Sequence, residues 1–166
     1  MIEFASSSIL FVAFLSLLQF LFPLVFSINK FKSLDFVVSS ISILSFILLS
    51  IAFCILIFSY INSDFSLLNV WSNSHTSKPL IYKISGSWGN HEGSMLLWCW
   101  VMALYGFFVA INIQKLTSYF KLRILMFQGI LCFGFVTFLK LKSDPFETLS
   151  PVPSEGIGLN PLLQDP

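Results

Sequence analysis

The residues of this chain able to do chemistry are few, and they gather at one place. His91, Met95 and Trp98 stand at i, i+4 and i+7, a spacing that shares one face of a helix beginning near His91. Trp88 lies just before them, and Trp100 points elsewhere. An imidazole, a thioether and a flat aromatic on one stripe suit a large planar apolar ligand with a polar edge, of which haem is one. The same residues also fit a capped interfacial helix start with a tryptophan belt. Asn90 or Ser94 can cap that helix, and Glu92 opposes the positive end of its dipole. Gly89 and Gly93 permit a turn or a close backbone approach. His75 lies in a Ser/Asn-rich stretch and is expected to be solvated. Cys54, Cys99 and Cys132 form no CxxC or CxxCH pattern, and are expected to be small buried hydrophobes. No metal site and no catalytic residue is expected in this chain.

The elements that position these residues follow from where charge is missing. The 166 residues are 56% hydrophobic and only 10% charged, against about 25% charged in soluble domains. Mean hydropathy is +0.86. Nine basic and eight acidic residues cannot coat a water-soluble surface, and a net charge of +1 leaves no footprint for nucleic acid. Charge-free runs of 26, 28, 22 and 16 residues follow Glu3, Asp35, Glu92 and Arg123. A hydrocarbon core of about 30 Å needs roughly 20 helical residues. Three runs suffice alone, and the fourth does if Arg123 and Lys140 snorkel to the interfaces. The expected fold is therefore all-α and integral to the membrane. Its four helices run over about Phe4–Ile28, Phe36–Ile61, Ser94–Ile113 and Leu122–Leu141.

Glu3 at the start of the first run, and the length of that run, argue against a secretory signal peptide. Pro23 is expected to bend or finish the helix. No ionisable residue falls mid-helix, which argues against a self-sufficient ion pump. Residues 1–142 read as a four-helix unit with an outer loop over 62–93. Residues 143–166, with five prolines, read as an extended tail. Five of the nine basic residues, Lys30, Lys32, Lys115, Lys121 and Arg123, flank two short loops expected inside. The N-terminus, the 62–93 loop and the tail are then outside. Twenty phenylalanines and many Ile, Leu and Ser suggest AT-rich codons, and with them a mitochondrial or reduced bacterial genome.

Longer blocks carry a resemblance. Trp88-Gly89-Asn90-His91-Glu92-Gly93-Ser94-Met95-Leu96-Leu97-Trp98 resembles the WGxHEGSLLLW signature of the CcmF family, haem-handling membrane proteins of system I cytochrome c maturation. Pro79-Leu80-Ile81-Tyr82-Lys83-Ile84-Ser85 resembles the family's PLYYKIS stretch, and Asp144-Pro145-Phe146-Glu147 its NPFER segment. Leu159-Asn160-Pro161-Leu162-Leu163-Gln164-Asp165-Pro166 matches its LNPLLQDP. The family's GLxIHPP stretch, its tryptophan-rich WWD segment and its haem-ligand histidines lie beyond the matched blocks. Ligand roles therefore do not pass to His75 or His91, and axial ligands are not expected here. The chain is expected to be one piece of a split or truncated protein.

The resemblance implies work on haem at the outer face of a bacterial or mitochondrial inner membrane. Haem from the chaperone CcmE would be presented to an apocytochrome c held with CcmH. The polypeptide bearing the WWD segment would be a further partner, with membrane lipid around the helices. Trp88, His91, Glu92, Ser94 and Trp98 would shape or hydrogen-bond the rim of the haem site. Asn160, Pro161, Gln164, Asp165 and Pro166 would lead the chain onward. Lys78 and Lys83 would pair with a propionate or a partner carboxylate, or stay solvated. The chain alone would not catalyse thioether formation. Two other readings stay open: an accessory subunit of a respiratory or transport complex without haem, and a paralogue serving a nitrite reductase.

Overall fold

The computed structural model describes residues 1–25, 31–111 and 116–158. Among the described residues six helices follow in order: α1 Ile2–Val25, α2 Phe31–Ile61, α3 Leu68–Asn73, α4 Leu80–Gly86, α5 His91–Ala110 and α6 Ser118–Lys142. Four of them, α1, α2, α5 and α6, are long and apolar enough to cross a membrane. Around the bundle α1 packs on α2, α2 on α5, α5 on α6 and α6 on α1. The chain is an all-α, multi-spanning membrane protein.

The helices start earlier than the charge pattern implies. α5 begins at His91 rather than Ser94 because the Asn90 side chain caps it, accepting from Gly93 N at 2.7 Å. α2 and α6 begin at Phe31 and Ser118, so Lys32 and Lys121 belong to helices rather than loops. Pro23 does not finish α1, which continues to Val25. The expected ends at Ile28 and Ile113, and Lys30 and Lys115, lie outside the described residues. So does the 159–166 block with Asn160, Pro161, Gln164, Asp165 and Pro166.

Small and polar residues draw the helices together, because lipid gives apolar side chains no incentive to associate. A Cβ on Gly129 would lie 3.0 Å from Ser16 O and Phe20 N, so α6 and α1 meet backbone to backbone there. A Cβ on Gly106 would meet Gln128 Nε2 at 2.7 Å and Ser42 Oγ at 2.8 Å. Gln19 donates to Leu125 O at 2.8 Å and to Gln128 Oε1, and Gln128 donates to Met102 O at 3.2 Å. Two amides thus join α1, α6 and α5 in the interior. Ser8, Ser40 and Ser50 turn their hydroxyls back to the carbonyl four residues earlier, which hides them from lipid.

Cys99 and Cys132 are buried as expected. Cys54 is not: it is exposed on the outer surface of α2, where a small apolar side chain faces lipid at no cost.

At one end of the bundle Lys121, 7% exposed, pairs with Asp35 at 2.6 Å, and it also reaches Ala110 O at 3.4 Å. This single side chain ties the start of α6 to α2 and to the end of α5. The Arg123 guanidinium lies 4.6 Å from the centre of the Tyr119 ring, a cation–π contact at the same end.

Removing one partner of such a pair strands the other. Asp35→Ala should cost about 3 kcal/mol, read as a lower melting midpoint of the detergent-solubilised protein. The double variant Asp35→Ala/Lys121→Met should recover most of that loss. Equal midpoints for Asp35→Ala and the parent protein would mean the pair contributes nothing.

Candidate functional site

The opposite end of the bundle carries the residues singled out by spacing. Here the end of α2, the short helices α3 and α4 and the start of α5 meet on one side chain, and the segment after α6 lies across α3. Asn90 accepts from Gly93 N through Oδ1, and donates from Nδ2 to Tyr60 Oη at 2.9 Å and to Gly86 O at 2.8 Å. Asn69 of α3 donates to the same Oδ1 at 3.2 Å. Tyr60 in turn donates to Asn69, reaching both its Oδ1 and its carbonyl. Tyr60 is fully buried, so its hydroxyl needs these partners. Gly93 cannot carry a side chain, since a Cβ would sit 1.8 Å from Ser87 O.

The structure divides the expected wall into two faces. At about 100° per residue, Trp98 returns to the side of His91, whereas Trp100 lies roughly opposite. Trp100 stacks on Phe53 with ring centres 6.1 Å apart, and its Nε1 donates to Ser50 Oγ at 2.8 Å. Trp88 joins that side: its ring lies 6.3 Å from Phe53. Trp88 therefore does not share the His91 stripe. On the other side, His91 Nε2 is 2.9 Å from Ser143 Oγ, just beyond α6. Met95 is half-buried, and Trp98 is 63% exposed. Glu92 occupies the first turn of α5, where its charge favours the helix dipole. The Ser94 hydroxyl bonds back to His91 O at 2.9 Å rather than capping.

The segment after α6 is strapped across α3. Leu68 N donates to Glu147 O at 2.9 Å and Leu149 N to Ser66 O at 2.8 Å, forming an isolated antiparallel bridge between Leu67 and Thr148. Further along, Ile157 N donates to Trp71 O and Gly158 N to Ser74 O. Gly156 passes so close that a Cβ would lie 2.1 Å from Ser74 O. Lys140 pairs with Asp144 and reaches Ser6 Oγ at 2.6 Å, which ties the strap's root to α1. His75 is less free than its Ser/Asn-rich setting implies. Its Nδ1 is 2.8 Å from Ser77 Oγ, and its Nε2 lies 3.8 Å from Glu155 Oε1.

Among the described residues no group of three His, Cys, Asp or Glu could hold a metal ion, and the His91 Nε2 is already engaged. The side chains present suit the rim of a haem site, an exposed flat indole beside a half-buried thioether, rather than ligation of iron. Tyr60 and Asn69 do not stand out in the sequence. Their only signal there is a Tyr and an Asn flanking a helix end, which is common and unspecific.

A family profile described as Cytochrome C assembly protein matches residues 88–166, beginning at Trp88. The cytochrome c-type biogenesis protein CycK of Rhizobium meliloti is 47% identical over 124 residues, covering 75% of this chain and 18% of that protein. The cytochrome c-type biogenesis protein ccl1 of Rhodobacter capsulatus is 40% identical over 151 residues, covering 91% of this chain and 23% of that protein. This chain belongs to the CcmF/CcsA cytochrome c-type biogenesis family. It spans less than a quarter of the length of these relatives. A solved structure titled Cytochrome c Heme Lyase CcmF shares the fold, with a TM-score of 0.67 at 23% identity over 90% of this chain and 24% of that one. The relatives that match are bacterial. They lend no support to the mitochondrial origin suggested by composition.

The geometry generates two predictions. Asn90→Ala removes a cap and leaves the buried Tyr60 and Asn69 short of partners. It should cost about 2–3 kcal/mol, measured as a loss of thermal stability in detergent. The second concerns Glu155, which accepts from Thr76 Oγ1 at 2.7 Å and from Thr76 N at 3.0 Å. The Thr76 hydroxyl first, then the Thr76 and Gly156 amides and His75, hold its carboxyl below the ordinary 4.5, against a smaller opposing effect of desolvation. Because the folded value lies below the unfolded one, this fastening is complete above about 4.5 and is lost as pH falls through the lowered value. Amide protection at Ile157 and Gly158, corrected for intrinsic exchange, should fall in that window. Glu155→Gln should abolish the pH dependence.

Proposed function

We propose that this chain forms one wall of a site where haem is attached to apocytochrome c, at the end of the bundle that carries the N-terminus, residues 62–93 and the strap. The observation that carries the reading is the family block itself. It begins at Trp88, and its side chains frame the exposed outer end of α5. The relatives' names connect them with cytochrome c biogenesis and, for the solved structure, with haem lyase activity. This chain's part is positioning. Trp98 offers a flat apolar surface and His91 and Ser143 a polar edge, while Trp88, packed on Phe53 at the opposite side of α5, steadies the helix start that presents them. Haem, when held there, supplies the vinyl groups that become thioethers, and the iron's axial ligands come from elsewhere in the family's sequence. Glu92 and Ser94 complete the rim, and residues 159–166 lead the chain onward from the strap. The site faces the periplasmic side of a bacterial inner membrane, with the Asp35–Lys121 end inside. The partners are the remainder of the family's sequence with its WWD segment, the CcmE haem chaperone, CcmH and apocytochrome c.

The test is cytochrome c yield in cells that depend on this protein. Trp98→Ala removes a side chain that is 63% exposed, so insertion and thermal stability should stay unchanged while yield falls several-fold. Trp88→Ala should lower yield and also weaken assembly, since Phe53 loses its neighbour. Normal cytochrome c in both variants would overturn the wall assignment. So would full-rate haem attachment by purified components lacking this chain.

A further inference from the structure

The outer end of the bundle also carries two lysines that the fold leaves without a counter-charge. Lys78 Nζ donates to Asn73 O at 2.7 Å, and Lys83 Nζ to Ser63 Oγ at 2.6 Å. Both partners are neutral. Among the described residues neither lysine has a carboxylate within ion-pair distance, whereas Lys121 and Lys140 each have one. The two ammonium groups also feel one another: burial first, then the charge of Lys83, lowers the pKa of Lys78 below its usual value. A cation in this state gains from any anion placed beside it.

Depth and surroundings identify the anion. From Asp35 to Tyr60 α2 rises about 38 Å at 1.5 Å per residue, more than the hydrocarbon thickness of about 30 Å. The Asp35–Lys121 pair marks one interface, so Tyr60 stands at headgroup level on the other. α4 is fastened there: a Cβ on Gly86 would lie 3.3 Å from the Tyr60 ring and 3.8 Å from Lys78 Nζ, and Lys83 reaches Ser63 just past α2. Leu80, Ile81 and Tyr82 on α4 are 57%, 73% and 58% exposed. Three successive apolar or amphipathic side chains at headgroup depth belong at the acyl-chain boundary, and Tyr is a usual interfacial anchor. Water would leave them exposed, and a carboxylate partner alone would leave them uncovered.

We propose that Lys78 and Lys83 grip the phosphate of an anionic phospholipid, with Leu80, Ile81 and Tyr82 resting against its acyl chains. The bound headgroup neutralises the lysine pair beside the Tyr60–Asn90 junction. It also seats α4, and with it the loop carrying Trp88, at a fixed height on the membrane. This inference rests on the membrane fold and not on the haem reading.

The experiment counts lipids retained by the full chain, by native mass spectrometry, after release from nanodiscs of equimolar phosphatidylglycerol and phosphatidylcholine. Phosphatidylglycerol should be retained in preference. Lys78→Gln and Lys83→Gln should each lower that retention about fivefold. Lys83→Arg should restore it, and Lys142→Gln, at an exposed lysine of the same end, should leave it unchanged. In the unmodified protein, Lys78 and Lys83 should react more slowly with an amine-acetylating reagent in phosphatidylglycerol vesicles than in phosphatidylcholine vesicles, and Lys142 equally in both. This footprint holds even if a glutamine variant fails to fold. Several results would overturn the proposal: undiminished retention in the double glutamine variant, an equal loss in Lys142→Gln, or no difference in acetylation. Stripping of the lipid by excess inorganic phosphate would make this a free-phosphate site. Displacement by added haem, dependent on both lysines, would make it a propionate site.

Discussion

The half of this protein that carries residues 62–93 hangs on the side chain of Asn90. An amide has two donors and two acceptor positions, and here they serve four separate elements. Oδ1 takes the orphan amide of Gly93 at the start of α5 and one from Asn69 in α3. Nδ2 gives to Gly86 at the end of α4 and to Tyr60 near the end of α2. α2 and α5 pack on each other along the bundle, but α3 and α4 are only six and seven residues long. Helices so short are unstable alone. The cap that starts α5 is therefore also the joint that holds α3 and α4 in place.

The membrane explains why this joint is polar. In the hydrocarbon region lipid surrounds every helix with material as apolar as the helix itself, so burial of leucine does little to choose a partner. Choice falls to close backbone approach and to hydrogen bonds. Gly129 and Gly106 permit the first, and Gln19, Gln128 and the Asp35–Lys121 pair supply the second. At the headgroup level of the other end Tyr60 and Asn69 are buried, so they must find their partners within the fold, and Asn90 supplies them. Specificity rests on a handful of polar side chains distributed along the depth of the bundle, while many phenylalanines face outward and leucines divide between the core and the surface.

Much of this architecture is legible in the amino-acid sequence. Runs without charge locate the four membrane-length helices found among the described residues, because an ionised side chain in hydrocarbon is costly and its absence is informative. The motif around His91 identifies the family and offers Asn90 as one of two possible caps, although the charge pattern alone starts the helix three residues late. Other features leave no such trace. α3 and α4 are too short to show a period. The strap binds through backbone amides, at Leu68, Leu149, Ile157 and Gly158, to which sequence is nearly blind. Proline content suggests an extended tail but not that the tail has a docking surface. Proximity in the chain groups Trp88 with His91. The turn at Gly89, and the packing of Phe53, send it instead to the opposite side of α5.

That division of α5 bears on how this end of the bundle works. The side carrying Trp100 and Cys99 is occupied by neighbours within the bundle, and Trp88 extends it upward against α2. The side carrying His91, Met95 and Trp98 borders the root of the strap at Ser143 and leaves an indole largely uncovered. A protein that used this end only to stay in the membrane would have little need to brace both sides, since lipid accommodates either. Here one side is fixed to α2 by stacked rings. The other is fixed to the strap by the His91–Ser143 contact, with Lys140, Asp144 and Ser6 anchoring the strap's root to α1. Trp98 is thus an exposed surface on a rigid support, the condition for placing a flat ligand or a partner helix reproducibly. Were the support mobile, an exposed indole would only wander at the interface. Because it is held from both sides, its exposure has a direction.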